Sequence, residues 1–186
     1  MAVRLVPGPF TVEEYRRLGE LGILGEDDRV ELLEGQIVQM TPIEPGHAGA
    51  VNALTQLLTG ILGERAIVAV QNPVVLGKKW EPRLDVAVLR PRPDAYRAAH
   101  PRPEDVLLVI EVADIPLERD RDVKIPQYAA AGIPEAWLVN LPEDVVEVCS
   151  EPREGHYALV RTVRRGETLT PTVLPQLRLR VDDILG

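Results

Sequence analysis

Two carboxylates stand where the surrounding pattern asks for apolar side chains. Asp85 lies inside Leu84-Asp85-Val86-Ala87-Val88-Leu89, and Glu111 directly follows the apolar run Val106-Leu107-Leu108-Val109-Ile110. Side chains alternate along a strand, so Asp85 shares a face with Ala87 and Leu89, and Glu111 shares one with Leu107 and Val109. A buried carboxylate without a partner is costly or stays protonated, so it calls for a hydrogen-bonded cation or a metal ion beside it. Two readings stay open. Either each acid reaches water at a strand end or pairs with an arginine, or the two lie on adjacent strands, about 4.8 Å apart, and share one divalent cation.

The segment after Glu111 offers a third member. Asp120, Lys124 and Tyr128 fall at i, i+4 and i+8, one stripe of a helix, and Lys124 is the only lysine besides Lys78 and Lys79. The stripe reads either as a surface ion pair of Asp120 with Lys124, or as a device that sets the Lys124 ammonium against Asp85 and Glu111. In the second case it orients a water and offsets charge building on a phosphate. Glu31 and His47 complete the candidates, each with a plainer alternative. Glu31 sits mid-strand between Val30 and Leu32, where a solvent-facing position is ordinary; His47 shares a helix face with Val51 and Leu54, where a semi-buried structural histidine is ordinary.

Elements that would carry these residues follow from local patterning. Thr11-Val12-Glu13-Glu14 is a capping box, so a first helix runs from Thr11 to about Leu21. Val30 to Leu33 and Gln36 to Met40, joined through Glu34-Gly35, read as a hairpin. Val51, Leu54, Leu57, Leu58, Ile61 and Leu62 recur at helical spacing, which predicts a largely buried helix from His47 to about Glu64. Ala66 to Gln71, Pro73 to Leu76 and Arg83 to Leu89 read as strands, and Pro91 to Pro103 as a surface loop. Val106 to Ile110 is apolar without alternation, which fits a strand covered on both faces. A helical stretch from about Leu117 to Ala131 closes at Gly132, with Pro126 either in its first turn or at a kink. Ala136 to Val139 gives another central strand, and Val145 to Cys149, His156 to Val163 and Leu177 to Val181 read as edge strands of an additional β-meander. The fold class is α/β, a mixed sheet with helices packed on it, and residues 1–186 read as one domain.

Composition narrows the chemistry. A single cysteine and three histidines exclude a disulfide framework and a multi-cysteine zinc site, so a bound metal must be held by carboxylates. No apolar run reaches the roughly 20 residues of a membrane span, and the chain reads as cytoplasmic. The formal charge of -8 argues against a protein that coats nucleic acid non-specifically. That acidity is concentrated in residues 104–154; the segment 35–103, which holds Asp85, is net positive. The arginines of Arg90 to Arg102 and Arg161 to Arg180 are the candidate phosphate-positioning groups, provided they face the cleft.

Taken in order, Glu31-Leu-Leu-Glu-Gly-Gln-Ile, Pro-Gly-His47, Arg-Leu-Asp85-Val-Ala-Val, Val-Ile-Glu111-Val and the block from Asp120 through Lys124, Tyr128 and Gly132 to Trp137 resemble the Uma family of putative restriction endonucleases. The resemblance runs from about Phe10 to Val148. It implies the PD-(D/E)xK nuclease fold, a restriction-endonuclease-like mixed sheet flanked by helices. It also implies that Asp85 and Glu111 are metal-ligand acids, that the Val112 carbonyl is an extra ligand, and that Lys124 is the catalytic lysine on the following helix. Glu31 and His47 match family positions whose roles would be completing the metal site or contacting phosphate. Two positions depart from the broad nuclease pattern: Leu84 replaces the proline before the first acid, and Ala113 replaces the lysine of the D/E-x-K motif.

The first function expected is a Mg²⁺- or Mn²⁺-dependent endonuclease acting on DNA, as a homodimer if both strands are cut. The rival, from another class, is a catalytically inactive nuclease-fold protein acting as an interaction or regulatory module. A third is a small-molecule phosphohydrolase using the same pocket.

Overall fold

The computed structural model describes residues 9–25, 27–114 and 120–186. Helix α1 (Val12–Glu20) starts at the expected capping box: the Thr11 hydroxyl accepts from the Glu14 amide at 3.2 Å and the Glu14 carboxylate accepts from the Thr11 amide at 2.8 Å. Strands β1 (Val30–Leu33) and β2 (Gln36–Gln39) form the antiparallel hairpin, and Gly35 in its turn has φ +77°. This hairpin is a two-stranded sheet of its own. It is tied to the rest by reciprocal bonds between Leu32 and Glu81, and by the Gly35 amide donating to the Lys79 carbonyl at 2.8 Å.

The central sheet has six strands in the order β3-β4-β5-β6-β7-β8, namely Ile67–Pro73, Arg83–Leu89, Val106–Ala113, Glu135–Asn140, Val145–Arg153 and His156–Arg164. All neighbours are antiparallel except β5 and β6, which run parallel. A parallel pair needs a crossover, and the chain from Asp120 through α3 (Ile125–Ala130) belongs to it. Every residue of β5 is buried, as the unalternating run requires. One face of the sheet packs Val86, Val88, Leu108, Ile110, Trp137 and Val139 against Leu54 and Leu58 of α2 (Pro45–Leu62) and Ile184 of α4 (Val181–Leu185). The other packs Ala87, Val109 and Ala136 against Ile125, Tyr128 and Ala129 of α3. Among the described residues no helix is long and apolar enough to cross a membrane.

Several boundaries differ from the sequence reading, each for a local reason. Residues 117–119 of the expected third helix lie outside the described residues. From Asp120 to Lys124 the chain winds as a π-turn before α3 begins, with Pro126 in the first turn of α3. The wider turn accommodates a ring that has no amide to donate and would crowd the preceding carbonyls. Pro73 to Leu76 does not form a separate strand: the chain leaves the sheet at Pro73, and Val74 and Leu76 instead donate to the carbonyls of Pro82 and Trp80 in a loop. Val145 to Cys149 is not an edge. The β7–β8 hairpin extends the central sheet, leaving β8 as its edge, and Leu179–Arg180 (β10) pairs with Thr168–Leu169 (β9) in a small ribbon. Buried Glu135 secures the loop beyond β9, accepting from the Trp137 indole at 2.6 Å and the Thr172 amide at 2.8 Å.

Two outcomes follow from this packing. A Cβ on Gly35 would lie 2.5 Å from the Pro9 Cβ and 3.0 Å from the Phe10 carbonyl oxygen, in a conformation that L residues resist. Gly35→Ala should therefore lower stability by about 2–4 kcal/mol in urea denaturation; an unchanged midpoint would contradict the fit. Burial raises the Cys149 thiol from 9.0 to about 11. Because the folded state favours the neutral thiol, its contribution to stability is complete below pH 9 and declines as pH rises toward 11. Thiol reagents at about pH 8, below the ordinary thiol range, should label Cys149 only after denaturation. Rapid labelling of the native protein would show the site to be open.

Candidate active site

Asp85 sits where two ladders open. On one side the β3–β4 register passes from Val70↔Val86 to Asn72↔Leu84, leaving Gln71 unpaired opposite Asp85 in a left-handed conformation with φ +51°. On the other the β4–β5 pairing ends at Val86↔Ile110. Beyond that pair the Asp85 side chain stands in for the missing strand partner, its Oδ2 accepting from the Val112 amide at 2.9 Å. The same oxygen lies 3.1 Å from Nε2 of His47, in the first turn of α2. Asp85 is thus placed at a fork between strands. That fork lets it reach a histidine from the helix on the opposite side of the sheet, which simple alternation does not allow.

Glu111 is 1 % exposed and turns toward α3, where the Tyr128 hydroxyl donates to its Oε1. Lys124, 6 % exposed, ends the π-turn with its Nζ 3.5 Å from Glu31 Oε2, 3.6 Å from Asp120 Oδ1 and 3.8 Å from Glu111 Oε2. The Asp120–Lys124 pair exists, but the lysine is buried, so the surface ion pair is not what the stripe encodes. Glu31 is 2 % exposed and also accepts from the Arg83 amide at 3.1 Å. The solvent-facing reading of Glu31 fails because the second layer it faces, Lys124, comes from 93 residues further along the chain.

Charge governs this cluster. Burial first, then the neighbouring Asp85 and Asp120, push the Glu111 carboxyl well above the usual range, although Lys124 and the Tyr128 hydroxyl pull the other way. Burial likewise raises Asp120 against the pull of Lys124. Burial works against the Lys124 ammonium, yet Glu111, Glu31, Asp120 and Asp85 together outweigh it and hold its pKa above the ordinary lysine value. The hydrogen bond to Asp85 raises His47, with burial opposing. Its Nδ1 is buried and has no hydrogen-bond partner among the described residues.

Glu31, His47, Asp85, Glu111 and Lys124 all line one cleft, together with Val112, Ala113, Asp120, Gln71, Arg29 and Arg83. The five side chains singled out from the sequence are therefore brought together. Asp85 Oδ1 accepts no hydrogen bond among the described residues and Glu111 Oε2 faces the Lys124 ammonium at 3.8 Å; these are the oxygens a cation would use. No group of three or more His, Cys, Asp or Glu side chains among the described residues is arranged to hold an ion. A cation here would use these two carboxylates and complete its shell with main-chain, water or substrate oxygen, which suits a hard ion such as Mg²⁺.

The arginines are placed otherwise than expected. None of Arg90 to Arg102 or Arg161 to Arg180 lines the cleft. Arg92 pairs with Asp94 and stacks 4.1 Å over the Tyr96 ring, Arg90 binds the Glu104 carbonyl, and Arg165 and Arg180 pair with Asp144 and Asp182. Acids two residues away capture Arg92 and Arg180, and an acid of the β6–β7 turn captures Arg165. Arg29 and Arg83 are in the cleft instead. Their sequence signal is adjacency, Arg29 two residues before Glu31 and Arg83 two before Asp85. Nothing in the sequence marks Gln71.

The architecture is shared with known structures. A putative nuclease belonging to DUF820 from Anabaena variabilis ATCC 29413 superposes with a TM-score of 0.73 at 17% sequence identity, covering 95% of this chain and 98% of that one. This likeness shows a common fold. No curated protein matched the sequence. The profile of a family described as "Putative restriction endonuclease" matches residues 12–182, a stretch that contains both acid strands, the crossover lysine and the early hairpin glutamate. With nearly its whole length inside that profile, the chain belongs to the Uma2 family.

Proposed function

We propose that this protein is a divalent-metal-dependent endonuclease that hydrolyses DNA phosphodiester bonds. The observation that carries the proposal is the convergence of Asp85 and Glu111 with a buried, charged Lys124 in one cleft. Six acids, Glu31, Glu44, Asp85, Glu111, Asp114 and Asp120, line the cleft against Arg29, Arg83, Lys124 and His47, so the pocket has room in its charge balance for a divalent ion. In this reading Asp85, Glu111 and the Val112 carbonyl hold Mg²⁺ or Mn²⁺. Such an ion, when bound, polarises a phosphate oxygen and lowers the pKa of a coordinated water.

The side chains then divide the remaining work. Lys124 stays protonated through the neutral range, so it acts as a hydrogen-bond donor that orients the attacking water and stabilises charge on the phosphate. Removal of the water's proton falls to another acceptor. Glu31 and Asp120 hold the ammonium in place. His47 donates from Nε2 to Asp85 and, with the Val112 amide, fixes the carboxylate so that Oδ1 points free. Tyr128 does the same for Glu111 by occupying Oε1. In this reading residues 1–186 form one nuclease domain of the cytoplasm, paired with a second copy when both strands of a duplex are cut.

Ala113 at the motif's lysine position does not argue against activity, since Lys124 enters the same cleft from the crossover. The second reading, an inactive nuclease fold used as an interaction module, is favoured by a different observation. Asp85 is already engaged by His47 and the Val112 amide, and no third acid completes an ion site among the described residues.

Purified protein should nick supercoiled plasmid or cut single-stranded DNA only with Mg²⁺ or Mn²⁺ present. Asp85→Ala and Lys124→Ala should each reduce cleavage by about 10²-fold or more, with circular dichroism checking that each variant folds. Cleavage unaffected by either substitution would refute the assignment. Calorimetric titration with Mn²⁺ separates the two readings: an enzyme shows binding that Asp85→Ala abolishes, whereas an inactive relic shows none.

A further inference from the structure

We infer that Arg29 and Arg83 form the clamp that holds the DNA backbone at the mouth of the cleft, each on a phosphate next to the one being cut. This assignment rests on the nuclease reading above and identifies how a chain of net charge -8 grips a polyanion.

Both arginines line the cleft, Arg83 exposed and Arg29 half-buried. Neither guanidinium has an acid partner among the described residues, in contrast to Arg16, Arg17, Arg92, Arg121, Arg153, Arg165 and Arg180. That is unexpected in a cleft lined by six acids, and the fold explains it. Glu31, two residues after Arg29 and bonded to the Arg83 main chain, is turned inward: its Oε2 takes the Arg83 amide and faces the Lys124 ammonium. The main chain of Arg83 is thereby fixed while its side chain is left uncommitted. Arg29 is anchored in the same way, its carbonyl accepting from the Met40 amide at 2.7 Å across the hairpin.

The need for such groups is electrostatic. A phosphodiester entering the site meets Glu31, Asp85, Glu111 and Asp120, and the lysine among them is enclosed by their oxygens. Attraction must come from the rim, and a planar guanidinium matches phosphate with two parallel hydrogen bonds. Arg29 immediately precedes β1 and Arg83 begins β4, so the two cations are carried by different elements. That arrangement suits successive phosphates of a chain better than one terminal phosphate.

The test measures binding, not cleavage, and is therefore independent of whether Asp85 and Lys124 support hydrolysis. A fluorescently labelled DNA duplex is titrated with protein in EDTA over a series of salt concentrations. The double variant Arg29→Gln/Arg83→Gln removes two cations from the phosphates; its affinity at low salt should fall at least tenfold and its log–log salt slope should drop by about 1.8. Arg153→Gln, which removes a cation paired with Glu151 elsewhere, should leave both unchanged. Unaltered affinity and slope in the double variant, or an equal loss in Arg153→Gln, would overturn the assignment. So would the absence of any arginine-dependent binding. Deoxyadenosine monophosphate supplies the other arm: if it binds as tightly as the duplex and with the same arginine dependence, the pair recognises a free phosphate monoester and the backbone assignment fails.

Discussion

A single ammonium buried among carboxylates is the constraint around which the molecule is arranged. Lys124 lies within 3.8 Å of acids from a hairpin, a central strand and its own turn. No other lysine or arginine side chain forms an ion pair with Glu31, Glu111 or Asp120 among the described residues. Taking such a group out of water is costly, and the cost is offset only if every partner is held in place. The hairpin is therefore pinned to the chain before β4, Glu111 is fixed by Tyr128, and Asp120 is carried on the same π-turn as the lysine. What looks like a set of separate structural details is one solution to the placement of one charge.

The same cluster reconciles two demands that usually conflict. A site that binds a divalent cation must be rich in acid, yet a buried acid cluster without a counter-charge destabilises the fold. Lys124 supplies a resident positive charge that opposes the effect of burial on Glu111 and Asp120. The raised Glu111 carboxyl marks where that compensation is incomplete. Asp85 is held instead by hydrogen bonding. A main-chain amide and an imidazole reach it because the sheet forks at that residue.

How much of this is legible in the sequence depends on the range of each interaction. The capping box of α1, the hairpin turn at Gly35 and the fully buried β5 are decided by neighbours within a few residues, and each forms as the pattern indicates. Asp85, Glu111 and Lys124 are conspicuous because polar residues interrupt apolar patterns or because a rare residue type appears away from its only other pair, Lys78-Lys79. Glu31 resembles a surface residue because its alternating strand is ordinary and its partner is distant. The arginines mislead for the opposite reason. Their density in two loops suggests a surface for phosphate, whereas nearby acids and carbonyls in those loops bind several of them locally. The π-turn and the left-handed Gln71 have no local signature beyond Pro126, since both are adjustments that tertiary packing imposes on the backbone.

The parallel pairing of β5 with β6 also sets when the site comes into being. Two parallel strands cannot zip from a tight turn; the intervening crossover must be laid down as the second strand docks. That crossover carries Asp120, Lys124 and Tyr128, so the step that closes the sheet also delivers the ammonium to Glu111 and the hydroxyl that orients it. Contacts of such long sequence separation form slowly relative to local ones. During synthesis the hairpin, α2 and the first acid strand emerge well before the crossover lysine. The chain thus passes through a stage in which its acids are present without their lysine, and assembly of the cleft becomes a late event, inseparable from completion of the fold.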